Sequence, residues 1–113
     1  MDKELIQERI DEIINHIDMA TKDLENVSLD EFDEVSLLGR AATFSVEQIC
    51  EHLTKLRKDL EVQYPNLPWD KARDMRIIIA HMYLSLDKEI VYFTVKNDLF
   101  PLKEELLKIK ETL

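Results

Sequence analysis

Gly39 is the only glycine in 113 residues. An average chain is roughly 7% glycine, because tight hairpins, bulges and phosphate-cradling loops all draw on its positive φ. A β-sandwich, a dinucleotide-binding fold and a P-loop enzyme are therefore disfavoured at the outset. Apolar residues make up 45% of the chain, enough to form a core. The length predicts one domain over residues 1–113. Cys50 has no second thiol to pair with, and short apolar runs such as Ile77–Ala80 fall far below a membrane span. With no signal-peptide pattern after Met1, the expectation is a cytoplasmic protein that does not enter membranes.

Apolar spacing predicts an all-α, antiparallel bundle of four to five helices. Ile6, Ile10, Ile13, Ile17, Ala20 and Leu24 recur at steps of three and four, the signature of an amphipathic helix. Ser28 followed by Glu31 fits a capping box. A second helix of about 34 residues is expected from near Leu29, with its apolar positions running to Leu60 and a kink at Gly39. Tyr64-Pro65-Asn66-Leu67-Pro68 breaks the chain, and Pro68 suits the first position of a third helix. Ser85 or Asp87 can cap a fourth helix ended by Asn97-Asp98, and Pro101 can open a fifth.

The net charge of −9 is unevenly placed. Residues 1–36 hold 12 acids and 3 bases, a net of −9, whereas residues 37–113 hold 12 of each. Bases gather as Lys55, Arg57 and Lys58, and again as Lys71, Arg73 and Arg76. Such clusters are ordinary on a solvated helix surface, yet they also allow local basic patches on an acidic protein. His16, His52 and His81 fall on three separate predicted helices without paired spacing, so no metal site and no cofactor are expected.

The third helix is unusual. On a helical wheel Ala72, Met75, Ile78, Ile79, Met82 and Leu86 share the core arc. Arg76 and Tyr83 lie along one border, and Asp74 and His81 along the other. Between the borders, on the wet side, lie Arg73, Ile77 and Ala80. A helix that is apolar beyond its core stripe has a second surface to bury. A two-fold homodimer through Ile77 and Ala80 would bring one protomer's Arg76 towards its partner's His81. Histidine titrates near neutral pH and arginine holds phosphoryl oxygens. The pair suits metal-free RNA cleavage, in which a base activates a 2′-hydroxyl and a cation stabilises the phosphorane. Spacing alone also fits a surface histidine and a salt-bridged arginine.

The run Tyr64-Pro65-Asn66-Leu67-Pro68-Trp69, then Arg73-Asp74-Met75-Arg76, four residues, His81, one residue and Tyr83, resembles the HEPN superfamily, and within it the HepT-like toxins. Leu86–Val91 and Asp98–Leu102 resemble later landmarks of that family, and Ile49-Cys50-Glu51-His52 matches the place where its long second helix carries a glutamate. The resemblance implies a HEPN-like helical bundle, a homodimer, and metal-independent endoribonuclease activity by Arg76 and His81 at a cleft between protomers. Arg73 and Glu51 would support the site or contact RNA. The resemblance further implies a minimal nucleotidyltransferase antitoxin that adds AMP to Tyr83. Family members commonly carry a polar residue directly after the arginine, where this chain has Ile77. That departure supports an alternative, a non-catalytic subunit that binds nucleotide or substrate within a two-component nucleotidyltransferase.

Overall fold

A computed structural model describes every residue except 83 and 84. The described chain is helical: α1 spans Lys3–Asp23, α2 Leu37–Leu60, α3 Trp69–Met82, α4 Lys88–Phe93 and α5 Leu99–Thr112, with a π turn at Thr94–Asp98 joining α4 to α5. No strand occurs among the described residues, in keeping with the all-α, HEPN-like fold expected from the sequence. Asp2 caps α1 by accepting the Leu5 amide at 2.9 Å, and the isoleucine stripe of α1 packs against α2. Ile10, Ile13, Leu56, Ile79 and Leu106 are fully buried. They come from four helices, so one apolar core joins α1, α2, α3 and α5.

The second helix begins eight residues later than expected. The Ser28–Glu31 capping box does form: the Glu31 amide donates to Ser28 Oγ at 3.3 Å and the Ser28 amide to Glu31 Oε1 at 3.2 Å. It caps only a turn, and α2 starts at Leu37 behind a second cap, Ser36, whose Oγ accepts the Gly39 amide at 3.0 Å. Packing overrides the local signal here. Phe32 is buried beside Tyr92, with ring centroids 5.6 Å apart. The connecting segment is also pinned through its carbonyls: Tyr92 Oη donates to Val27 at 2.7 Å, Lys88 Nζ to Leu29 at 3.0 Å, and Lys96 Nζ to Leu24. The chain then doubles back over the first turn of α2. A Cβ at position 39 would lie 1.9 Å from the Asp33 carbonyl oxygen. Gly39 therefore admits a close backbone approach and does not act as a kink.

Two further boundaries differ from the sequence reading. Asp87 caps α4, accepting the Glu89 amide at 2.9 Å, but Asn97-Asp98 does not end the rod. The helix continues through the π turn, and Pro101 becomes the third residue of α5. Proline removes an amide and crowds the carbonyl four residues earlier, and a wider turn relieves that crowding. On α3 the core arc is narrower than the wheel suggested. Ala72, Met75 and Ile79 are buried, whereas Ile78 is half-buried and Met82 is 50% exposed. Leu86 is buried, but beyond the end of the helix. At the entrance to α3, the Trp69 indole donates to the Tyr64 carbonyl at 2.9 Å, and Tyr64 Oη meets Thr112 Oγ1 at 2.8 Å. This anchor links the end of α2 to the end of α5.

On the opposite side of α2, Arg9 Nη1 of α1 lies 3.2 Å from His52 Nδ1. Partial burial and the adjacent Arg9 guanidinium hold the His52 pKa below the ordinary histidine value. A neutral ring accepts the arginine proton, whereas a protonated ring would repel the guanidinium.

Two predictions follow from this packing. Gly39→Ala should lower the unfolding free energy in urea by about 2–3 kcal/mol, as overpacking does; helix propensity alone would instead raise it by about 1 kcal/mol. Because the unfolded state binds the His52 proton at a higher pH than the folded state, stability should be full above the ordinary histidine pKa and fall as acid is added through the folded value. His52→Gln keeps an acceptor for Arg9 and removes the titration, so urea midpoints measured from pH 8 to pH 5 should fall less steeply than in the wild type.

Candidate functional site on the outer face of helix 3

Helix α3 packs extensively against α2 alone among the described residues, which leaves its outer face bare. Arg73, Arg76, Ile77, Ala80 and His81 are all exposed on this face, Ile77 at 48%. At 100° per residue, Arg76 and His81 stand about 140° apart around the axis and about 7.5 Å apart along it. Ile77, Ala80 and Arg73 fill the arc between them. The two side chains therefore flank an apolar strip and point away from each other within one protomer. Tyr83 lies outside the described residues.

Charge pairing sorts the basic residues. Arg57 reaches Glu61 and Asp70, both at 2.8 Å, and in turn holds the Asp70 carboxyl below the usual carboxylate range. Lys71 pairs with Asp98 across to the π turn at 2.6 Å. Arg73 is held by Asp74 at 3.1 Å and Asp70 at 3.5 Å. Arg76 makes no ion pair with any described residue, so its guanidinium keeps its donors available to an incoming anion. Glu51 is half-buried on α2 and engages Lys55 on the same helix at 3.4 Å. It forms no ion pair with Arg76 among the described residues.

Behind α3, an apolar pocket of about 280 Å³ opens between α2, α3 and the π turn, lined in part by Ile49, Cys50, Met75 and Asn97. Burial pushes the Cys50 thiol up to about 12, so it stays protonated and is a poor nucleophile. No group of His, Cys, Asp and Glu suited to holding a metal occurs among the described residues. No helix among them is long and apolar enough to cross a membrane. The sequence reading missed the Arg9–His52 pairing, because the two residues are 43 positions apart and only the packing of α1 on α2 joins them.

The chain is similar to several archaeal and bacterial proteins. It is 32% identical over 104 residues to a Methanocaldococcus jannaschii protein named as a gamma-glutamylcyclotransferase and candidate RNase; the match covers 92% of this chain and 47% of that protein, so the chain spans about half its length. A second protein of that organism, named as a candidate RNase, is 28% identical over 109 residues, covering 96% of this chain and 90% of its own. A candidate ribonuclease HepT of Thermococcus cleftensis is 28% identical over 67 residues, 59% of this chain and 61% of that one. No solved structure matches significantly. The family model described as "Ribonuclease HepT-like" matches residues 6–109, and the chain belongs to that family, within the HEPN superfamily.

Proposed function

We propose that this chain is a metal-independent endoribonuclease whose site is completed by two protomers. The observation that carries the reading is the outer face of α3: an exposed arginine without an ion pair among the described residues, an exposed histidine, and an exposed isoleucine between them. Family membership and relatives named as candidate RNases support RNA as the substrate. A two-fold axis through Ile77 and Ala80 buries the apolar strip and sets one protomer's Arg76 against its partner's His81.

In such a cleft, the His81 imidazole takes the proton of a ribose 2′-hydroxyl. The oxygen attacks the adjacent phosphorus, the bond to the 5′-oxygen breaks as that oxygen takes a proton from water, and the strand ends in a 2′,3′-cyclic phosphate. The Arg76 guanidinium donates to the phosphoryl oxygens as negative charge concentrates on them. Arg73, one turn before Ile77, neutralises strand phosphates at the rim. Glu51, held to Lys55 on α2, is a supporting residue outside the α3 face. The 1–113 chain acts as one helical domain, a toxin silenced when a nucleotidyltransferase antitoxin transfers AMP to Tyr83. That modification would add phosphate and bulk two residues after His81 in the chain.

Ile77 favours a second reading. A side-chain amide in its place would orient a phosphate or the histidine, and isoleucine has no donor. A dimer that binds nucleotide without cleaving it, as one subunit of a two-component nucleotidyltransferase, fits that apolar strip.

Purified protein incubated with cellular RNA in EDTA should cleave it, and Arg76→Ala and His81→Ala should each lose at least about a hundredfold in rate, the scale of general-base or oxyanion contributions. Intact RNA with wild-type protein would sink the ribonuclease reading in favour of the binding subunit. Ile77→Glu should sediment as a monomer at micromolar concentration and lose cleavage as well. An Ile77→Glu protein that remains dimeric would rule out this interface.

A further inference from the structure

Where the start of α1 lies against the end of α2, a surface recess of about 570 Å³ is lined by Arg9, Thr54, Lys55, Arg57, Lys58 and Met1, with Glu61 as its only carboxylate. Glu61 is occupied by Arg57 at 2.8 Å. Lys55 reaches back to Glu51 at 3.4 Å. Arg9 and Lys58 form no ion pair among the described residues. The Arg9 guanidinium instead meets the neutral His52 ring at 3.2 Å, and its Nε is buried without any partner among the described residues. The N-terminal end of α1 and the C-terminal end of α2 meet here, and their opposed dipoles offset each other. The lining itself carries the Met1 ammonium, Arg9, Lys55, Arg57 and Lys58 against Glu61, with the ammonium held by Asp59 at 3.3 Å, a cationic excess on a chain of net charge −9.

The recess is linked to the α3 face. Arg57 lines it and also holds Asp70 at the start of α3; Asp70 in turn meets Arg73 at 3.5 Å. Along α3, Arg76 follows Asp70 by about 9 Å and His81 by about 16 Å. Arg57 and Arg73 in this link are already held by carboxylates, so the cations without an ion pair among the described residues stand at its two ends, Arg9 and Lys58 in the recess and Arg76 on α3.

We propose that this recess is a second, non-catalytic site for the phosphodiester backbone of single-stranded RNA, holding the strand upstream or downstream of the scissile bond. The assignment rests on the ribonuclease reading of the α3 face for its substrate. Arg9, Lys55 and Lys58 contact phosphates and read no sequence, and Thr54 adds a hydroxyl donor.

The test is fluorescence anisotropy with a labelled twelve-nucleotide single-stranded RNA in EDTA, bound to the His81→Ala protein at 50 to 300 mM salt. Adding Lys55→Gln and Lys58→Gln should weaken binding and make the slope of log affinity against log salt shallower by about 1.4, since each single-strand phosphate contact contributes about 0.7. Lys22→Gln with Lys108→Gln makes the same charge change elsewhere and should leave the slope as it was. Circular dichroism confirms equal helicity in each protein. An unchanged slope in the Lys55/Lys58 variant, an equal fall in the Lys22/Lys108 control, or no RNA binding at 50 mM salt overturns the site. If the slope falls as expected while wild-type protein leaves RNA uncut, the recess stands as an RNA site and the cleavage reading fails alone.

Discussion

Helix α2 is covered on two sides, by α1 and by α3, whereas α3 is covered extensively only by α2 among the described residues. That asymmetry governs the rest of the molecule. The buried stripe of α2 runs from Ala42 through Val46, Ile49, Leu53 and Leu56 to Leu60, and it lets α1 and the rod of α4 and α5 close a core without the far side of α3. Because α3 packs through Trp69, Ala72, Met75 and Ile79, with Ile78 partly buried beside them, its outer positions can carry chemistry. An arginine, a histidine and an isoleucine share that outer face with little cost to the fold.

The same division separates groups that stabilise from groups that can react. Tyr92, Lys88 and Lys96 occupy the carbonyls of the segment between α1 and α2, and Cys50 is held as a protonated core thiol. These groups are already engaged. Arg76 and Lys58 have no ion pair among the described residues, and in both cases their surroundings suit a polyanion.

Much of this was legible in the sequence because local chemistry decided it. The i, i+3, i+4 isoleucines of α1 and the Asp87 cap act within a few residues of themselves, and each is found where the pattern puts it; the third helix starts one residue later than the pattern puts it, at Trp69 behind Pro68, whose carbonyl accepts the Ala72 amide. The start of α2 was misread because the Ser28–Glu31 box forms in either outcome. Burial of Phe32 against Tyr92, 60 residues away, decides that the chain turns. Gly39 was read as a weakness in a helix, when its role depends on the Asp33 carbonyl folding back onto it. Pro101 signals a helix start equally well as a π turn, and only continuity with α4 separates the two. On the candidate site, the wheel correctly grouped Arg76, Ile77, Ala80 and His81 on one exposed arc. It could not supply Arg9 and His52, which meet only through helix packing.

The central claim is that one protomer's Arg76 works with its partner's His81. Mixing Arg76→Ala protein with His81→Ala protein, each inactive alone, tests it most directly. After subunit exchange, half of the dimers are mixed, and each mixed dimer holds one cleft with both side chains intact and one with neither. RNA cleavage in EDTA should therefore return to about a quarter of the wild-type rate. Mixtures that exchange subunits yet stay as inactive as either parent would show that the two residues do not meet across the interface.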